Sequence, residues 1–441
     1  MTATILTFIA EIASERRQVL DAAVIELQRS ANASLQAPFS AVPMLHFASV
    51  VVFDGDPVRE LPALLVFESN IDGQIGPYIE ELVAAAAPEL HILFGCCSDY
   101  TLREPVDHTM IANYLRRHIV HPNAWHVGNF GHTAPRIIRE ATLHDDISAR
   151  IDHRMLTGDR PDTPHMARLM IDGQYHAAGT FGWVPAPDGE PTWWDRTEPK
   201  IELGIAVAVV LFGIPVLGWW GVGHWWGAFV GLGVELMLAI IYVVVLRWHE
   251  IHDVAQSPSA LDPALVKRLE AQEDRHVQNH LASLTTVKPG VFRRLTLRAV
   301  LLAANLVART SITGTLAGIP SIHFAHWALV DNGRRLLFLS NFDGSWESYL
   351  DDFIDRASLG LTAIWTNTVG FPETRFLGGE GAKNGVAFKA FARGQQVPTG
   401  VWYSAYSDLT VQQVALNSTV RAGLAAPPAT PAALTEWLRA W

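Results

Sequence analysis

The residues best equipped for chemistry in this 441-residue chain are histidines and aspartates that occur twice. His46, Phe47 and Ala48 recur as His323, Phe324 and Ala325, and His326 follows in the later copy. Further along, SNIDG (Ser69 to Gly73) and SNFDG (Ser340 to Gly344) place Asp72 and Asp343 at matching positions. A neutral imidazole can ligate a metal or accept a proton, and a carboxylate beside it can hold or pass on that proton. The same residues have a structural reading: equivalent histidines bonded to backbone or to the corner Asp. On that reading Asn and Asp cap a helix start, and Gly supplies an unusual backbone angle. A third candidate is His276 with His280 in EDRHVQNH. Read as helix, the four-residue spacing puts both rings on one face beside Glu273 and Asp274, a partial transition-metal site without a third ligand. His118, His121, His126 and His132 lack ligand spacing and read as a polar surface or a pocket wall. No phosphate-binding loop, nucleophile elbow or dinucleotide fingerprint is present, and Gly378 to Gly381 reads as a turn.

The elements that must position these side chains are themselves repeated. Aligned on the DG pair, LHFASVVVFD and ALLVFESNIDGQIGPYIEELV match IHFAHWALVD and RLLFLSNFDGSWESYLDDFI, with Asp54 against Asp331 and Tyr78 against Tyr349. The offset is 277 at HFA and 271 at DG, so the first copy carries six extra residues in its first turn. An apolar strand follows (HILFGCCSDY; GLTAIWTNTVGF), then a helix, a strand (AWHVGNF; GVWYSAY) and a closing helix. Each copy thus reads βαββαβ plus a helix, the ferredoxin-like pattern, and the open sheet faces of two such modules can cover each other. Strand alternation sets His323, Ala325 and Trp327 against Phe324, His326 and Ala328, so one of His323 and His326 looks into the space between modules.

Between the copies, Leu203 to Trp220 and Gly227 to Leu246 are apolar runs of bilayer-crossing length, with Trp219, Trp220, Trp225 and Trp226 at their turn. Arg196, Lys200 and Arg247 flank the ends and the turn has neither Lys nor Arg, which predicts a hairpin with both soluble parts on the cytoplasmic side of the inner membrane. Glu235 lies mid-span, either functional or bonded between helices in a homo-oligomer. Lys288 to Arg309 mixes arginines with Leu, Val and Phe, as a helix in the headgroup plane or an amphipathic core helix would. The balance of 33 basic against 44 acidic residues argues against nucleic acid as a general partner. Adjacent Cys96 and Cys97 predict free thiols in a reducing compartment, and the amino terminus, with no basic region and an early Glu11, is a poor secretory signal.

With IHFA and SNxDGSxESY in place, the chain resembles bacterial membrane-associated proteins built from tandem modules of this kind, over most of residues 40 to 150 and 265 to 425. More distantly it resembles the dimeric α/β-barrel superfamily, whose haem branch includes dye-decolorising peroxidases and chlorite dismutases. Those peroxidases carry GxxDG with the Asp as distal acid; here Ser69 and Ser340 stand where the first Gly would be. The resemblance implies an α+β fold in which two ferredoxin-like modules form one barrel. It also implies haem as cofactor, with His46, His323 or His326 as ligand and Asp72 or Asp343 handling protons. Expected boundaries are a first module to residue 150, a Pro-rich wrapping segment 151–200, the hairpin 201–247, a helical linker 248–315, a second module 316–425 and a tail. Two functions follow as expectations: a haem-dependent, peroxidase-like oxidoreductase acting on a lipid or other hydrophobic substrate, or a non-catalytic membrane scaffold that binds membrane lipid or a partner.

Overall fold

The computed structural model describes residues 3–30, 36–101, 105–158, 160–185, 192–222, 225–253, 263–273, 276–310, 316–426 and 428–441. The first half runs β1 (Ala3–Glu11), α1 (Arg17–Ser30), α2 (Gln36–Ser40), β2 (Leu45–Phe53), β3 (Leu64–Asp72), α3 (Ile75–Phe94), α4 (His108–Arg117), β4 (Ile119–Val120), β5 (Ala124–Val127) and α5 (Ala134–Leu156). The middle holds α6 (Pro164–Ala178), α7 (Trp193–Val222), α8 (Trp225–His252) and α9 (Pro263–Glu273). The second half runs β6 (Gln278–Thr286), α10 (Val291–Thr310), β7 (Ile322–Val330), β8 (Arg335–Asp343), α11 (Trp346–Trp365), a small hairpin β9 (Thr374–Arg375) and β10 (Gly379–Glu380), α12 (Gly385–Gln395), β11 (Gln396–Val397), β12 (Val401–Ser404), α13 (Val411–Ala425) and α14 (Pro431–Leu438).

The molecule is α+β, with two antiparallel five-stranded sheets ordered β12-β2-β3-β1-β4 and β11-β6-β8-β7-β5. Both orders follow the same path, and each is completed by a strand from the other half. β12 pairs with β2, and β5 pairs with β7. The halves are therefore interlocked through main-chain hydrogen bonds as well as packing.

Two expectations are corrected here. HILFGCCSDY and GLTAIWTNTVGF are not strands: their apolar parts are the last turns of α3 and α11. A short apolar run does not distinguish strand from buried helix, and Pro88 inside α3, with non-helical Ala86, had masked one helix as a helix and a strand. The missing first strand of each half is β1 and β6, and β6 lies within residues 248–315, read above as a helical linker.

Strands β2 and β3 are buried along almost their whole length because both faces are covered. Leu20, Val24, Tyr78 and Leu82 of α1 and α3 cover the outer face of the first sheet, and Leu297, Leu301, Phe353 and Phe388 cover that of the second. The inner faces meet each other: Val51, Phe53, Leu64 and Val66 pack with Ala282, Ala328, Leu337 and Leu339.

Helices α7 and α8 form a hairpin whose segments of 29 and 28 residues are each long and apolar enough to cross a membrane. Their flanks are exposed, as are all four tryptophans at the turn, and this suits association with a membrane. The helices touch closely through small residues, since a Cβ on Gly218 would overlap the Gly227 carbonyl and one on Gly231 would lie 2.6 Å from the Ile214 carbonyl oxygen. Arg309 of α10 bonds Glu202 of α7 at 2.6 Å, and Lys288 bonds Asp253 beyond α8 at 2.6 Å, so both hairpin ends are fastened to the second half.

Candidate functional site

The repeated histidines and aspartates converge between the two sheets. A register shift interrupts β2 at His46 and β7 at His323, and these bulges turn both rings inward although alternation alone would send His323 to the opposite face from His326. His323, His326 and His46 are all buried, so both candidates in the second half face the interior rather than one of them.

His46 Nε2 lies 3.0 Å from Asp72 Oδ1, in ion-pair range but off hydrogen-bond alignment, and its Nδ1 is 2.8 Å from the Tyr406 hydroxyl. Burial pushes the Tyr406 phenol well above its usual range, with Asp72 and Asp343 adding to the effect, so it stays protonated beside His46. His323 Nε2 lies 2.7 Å from Asp343 Oδ1. Each carboxylate has a second task. Asp72 Oδ2 accepts from the backbone N–H of Ala134 at 2.8 Å, and Asp343 Oδ2 accepts from that of Val411 at 2.8 Å. The helices held are α5 and α13, distant in sequence, whereas α3 has an uncapped Gln74 at its start and α11 is capped by Ser345. The DG aspartates thus cap helices, but not the ones that follow them. Gly73 and Gly344 do take left-handed angles, φ 80° and 79°.

The serines of the two motifs have a reason of their own. Tyr78 donates to Ser69 Oγ at 2.6 Å, and Ser340 and Tyr349 are 2.7 Å apart in the same way, tying each motif strand to the helix that follows it. Asn341 Nδ2 donates to Asn70 Oδ1 at 2.9 Å, joining the two motifs across the interface.

Beside this matched set lies an unmatched one that the sequence reading missed. Glu68 of β3 is fully buried; it accepts from Ser49 Oγ at 3.1 Å, Asn70 Nδ2 at 3.2 Å and His280 Nε2 at 3.0 Å, with His326 Nδ1 3.4 Å away. The outer ring nitrogens are also engaged: Thr399 Oγ1 is 2.7 Å from His280 Nδ1, and Thr7 Oγ1 is 3.0 Å from His326 Nε2. Burial opposes ionisation of Glu68, but the hydrogen bond and charge of His280 outweigh it and hold the carboxyl at about 2. Burial pushes the pKa of His326 down more strongly than Glu68 raises it, which favours the neutral ring. A charged residue in the otherwise apolar run LLVFES was the available signal for Glu68; nothing marked Tyr406 or Thr7.

His276 and His280 do not form a metal pair. His280 is in β6 with its ring inside, His276 is exposed ahead of that strand, and Glu273 is taken by Arg393 at 2.8 Å. Asp274 lies outside the described residues. Among the described residues no three His, Cys, Asp or Glu side chains are grouped to hold a metal ion.

The residues present do not fit a haem. Phe47 fills the space between the histidines, its ring 5.2 Å from His323, 5.7 Å from Phe324 and 5.3 Å from Tyr406. The Nε2 atoms of His46 and His323 face carboxylates that are themselves committed to helix ends. The gap between the second sheet and its helices, lined by Phe338, Trp365 and Phe388, measures about 30 Å³, room for about one water.

No protein-family model, curated protein or solved structure matches the chain.

Proposed function

We propose that this protein is a membrane-anchored, non-catalytic scaffold that binds membrane lipid. Two ferredoxin-like modules close face to face as one barrel, and the apolar hairpin fixes them to the cytoplasmic side of the inner membrane. The observation that carries the reading is the fate of Asp72 and Asp343: each spends one oxygen on a histidine and the other on a helix N-terminus, so neither is free to shuttle protons. The interior is filled by packed side chains and by hydrogen bonds that join the two sheets, which suits a fixed support. The flanking Arg196, Lys200 and Arg247, against a turn without Lys or Arg, support the cytoplasmic side.

The test has two parts. Protein expressed with added haem and purified in detergent should give no Soret band and no peroxide-dependent oxidation. A Soret band lost in His46→Ala or His323→Ala would return the oxidoreductase reading. The full chain should also pellet with membranes and resist alkaline carbonate, and removal of residues 201–247 should release it. A full chain that stays in the carbonate supernatant would end the anchor reading.

A further inference from the structure

Where the far end of α8, the start of α10 and the β7–β8 turn meet, the molecule has a cavity of about 750 Å³, within the range of small-ligand sites. Lys288, Arg293, Arg294, Arg334 and Arg59 line it, with Asp253 as its carboxylate. We propose that this cavity binds a phosphoryl anion, presented by an anionic phospholipid headgroup.

Arg293 is 1% exposed, yet only its Nη2 is satisfied, donating to Asp253 Oδ2 at 2.5 Å; Nε and Nη1 have no partner. Each unmet donor suits an oxygen of an anion, and a buried guanidinium with unmet donors is costly without such a ligand. Asp253 is already shared, since Lys288 Nζ donates to it at 2.6 Å and to the Thr366 carbonyl at 2.8 Å. Arg59 is paired with Asp56 at 2.5 Å, but a single Asp253 shared by Lys288 and Arg293, with Arg294 and Arg334 beside them, leaves the cavity a surplus of positive charge. The chain enters α10 through Pro289 and Gly290, so the helix's first N–H groups, which lack intrahelical acceptors, open on the same space, with no acidic side chain in that turn to occupy them.

The duplication supplies a control. Val287 N–H bonds the Arg334 carbonyl and Lys288 N–H bonds that of Asn367, as Ile12 N–H bonds Ala63 and Ala13 N–H bonds Cys96. Lys288 and Arg334 thus stand where the first half has Ala13 and Ala63. Four of the five lining cations, Lys288, Arg293, Arg294 and Arg334, belong to the second half, to which the hairpin is fastened, and only Arg59 comes from the first. Lipid is the favoured source because the cavity adjoins the end of a membrane-length helix, and Val291 and Leu295 beside it on α10 are exposed apolar residues.

This inference rests on the lipid-binding reading and is tested apart from anchoring. Full-length protein in non-ionic detergent is titrated calorimetrically with short-chain phosphatidylglycerol, phosphatidylcholine of equal chain length, and inorganic phosphate. Phosphatidylglycerol should bind saturably and at least about tenfold more tightly than phosphatidylcholine, and the double variant Arg294→Gln/Arg334→Gln should weaken it by about tenfold or more. Arg293→Lys, which keeps the charge but loses the fork, should weaken it as well. Inorganic phosphate that competes at equal affinity supports the anion site and assigns it to soluble phosphate. Equal affinity for the two lipids with no phosphate binding, or phosphatidylglycerol affinity unchanged in both variants, overturns the proposal. A carbonate-soluble full chain sinks the anchor, whereas the phosphate titration reads the cavity by itself.

Discussion

Replacing Glu68 by Gln keeps its shape and removes one buried charge. The carboxyl is held at about 2 against an ordinary 4.5, because the hydrogen bond and charge of His280 overcome the burial penalty. At about 1.4 kcal/mol per unit, the ionised form contributes about 3 kcal/mol to folding at neutral pH. A depressed carboxyl pKa gives stability that is complete above the unfolded value and lost as pH falls through the folded one. The difference between wild type and Glu68→Gln should therefore be about 3 kcal/mol at pH 7, shrink between pH 4.5 and 2, and vanish below. Urea titration in detergent micelles, followed by near-ultraviolet circular dichroism at several pH values, measures it. Burial also lowers His126 and His132 to about 4, which makes both proteins lose stability as pH falls from 6.5 to 4, but that loss is common to them and cancels in the difference. A variant within about 0.5 kcal/mol of wild type at pH 7, or a difference that does not change with pH, would refute the claim that Glu68 is ionised and bonded at the interface.

Asp72→Ala and Asp343→Ala each release a helix start and a histidine, so thermal melts should show losses of about 1–2 kcal/mol that agree between the two sites; a loss at one site alone would contradict their equivalence. Tyr78→Phe and Tyr349→Phe each remove one buried hydrogen bond to a motif serine and should cost about 1 kcal/mol in the same assay. Gly231→Leu sets a side chain against the Ile214 carbonyl and should open the hairpin, seen as faster protease cleavage between α7 and α8 in membranes, with the sheets' near-ultraviolet signal retained.

Much of the frame was legible in the sequence. HFA and SNxDG located β2, β3, β7 and β8, and the two offsets located the longer β2–β3 turn, because register and turn length are written locally in the pattern. The hairpin was legible for the same reason: eighteen or so consecutive apolar residues have few other uses. What escaped depended on partners far along the chain. Nothing near AWHVGNF or GVWYSAY says that each strand joins the other half's sheet. The four-residue spacing of His276 and His280 mimics a helix, whereas His280 opens the β-rich run HLASLTT and lies in β6. The aspartates were read as local caps, because a sequence displays the nearest helix start and not the one folded against it.

The duplication separates what holds this molecule together from what distinguishes it. Ser69 with Tyr78, Asp72 with the start of α5, and the bulge at His46 all recur in the second half, and a feature needed equally by both halves explains a shared fold. Glu68 does not recur: the 271-residue offset puts Leu339 in its place, and the two lie on inner faces that pack together. A symmetric pair of glutamates there would set like charges in one dry interface, while a symmetric pair of leucines would leave His280 and His326 without their acceptor. One of each satisfies both constraints, so the polar contact also dictates which sheet face meets which. Departures from the repeat, in that contact and in the cations around Arg293, are thus where one half acquired a duty the other lacks.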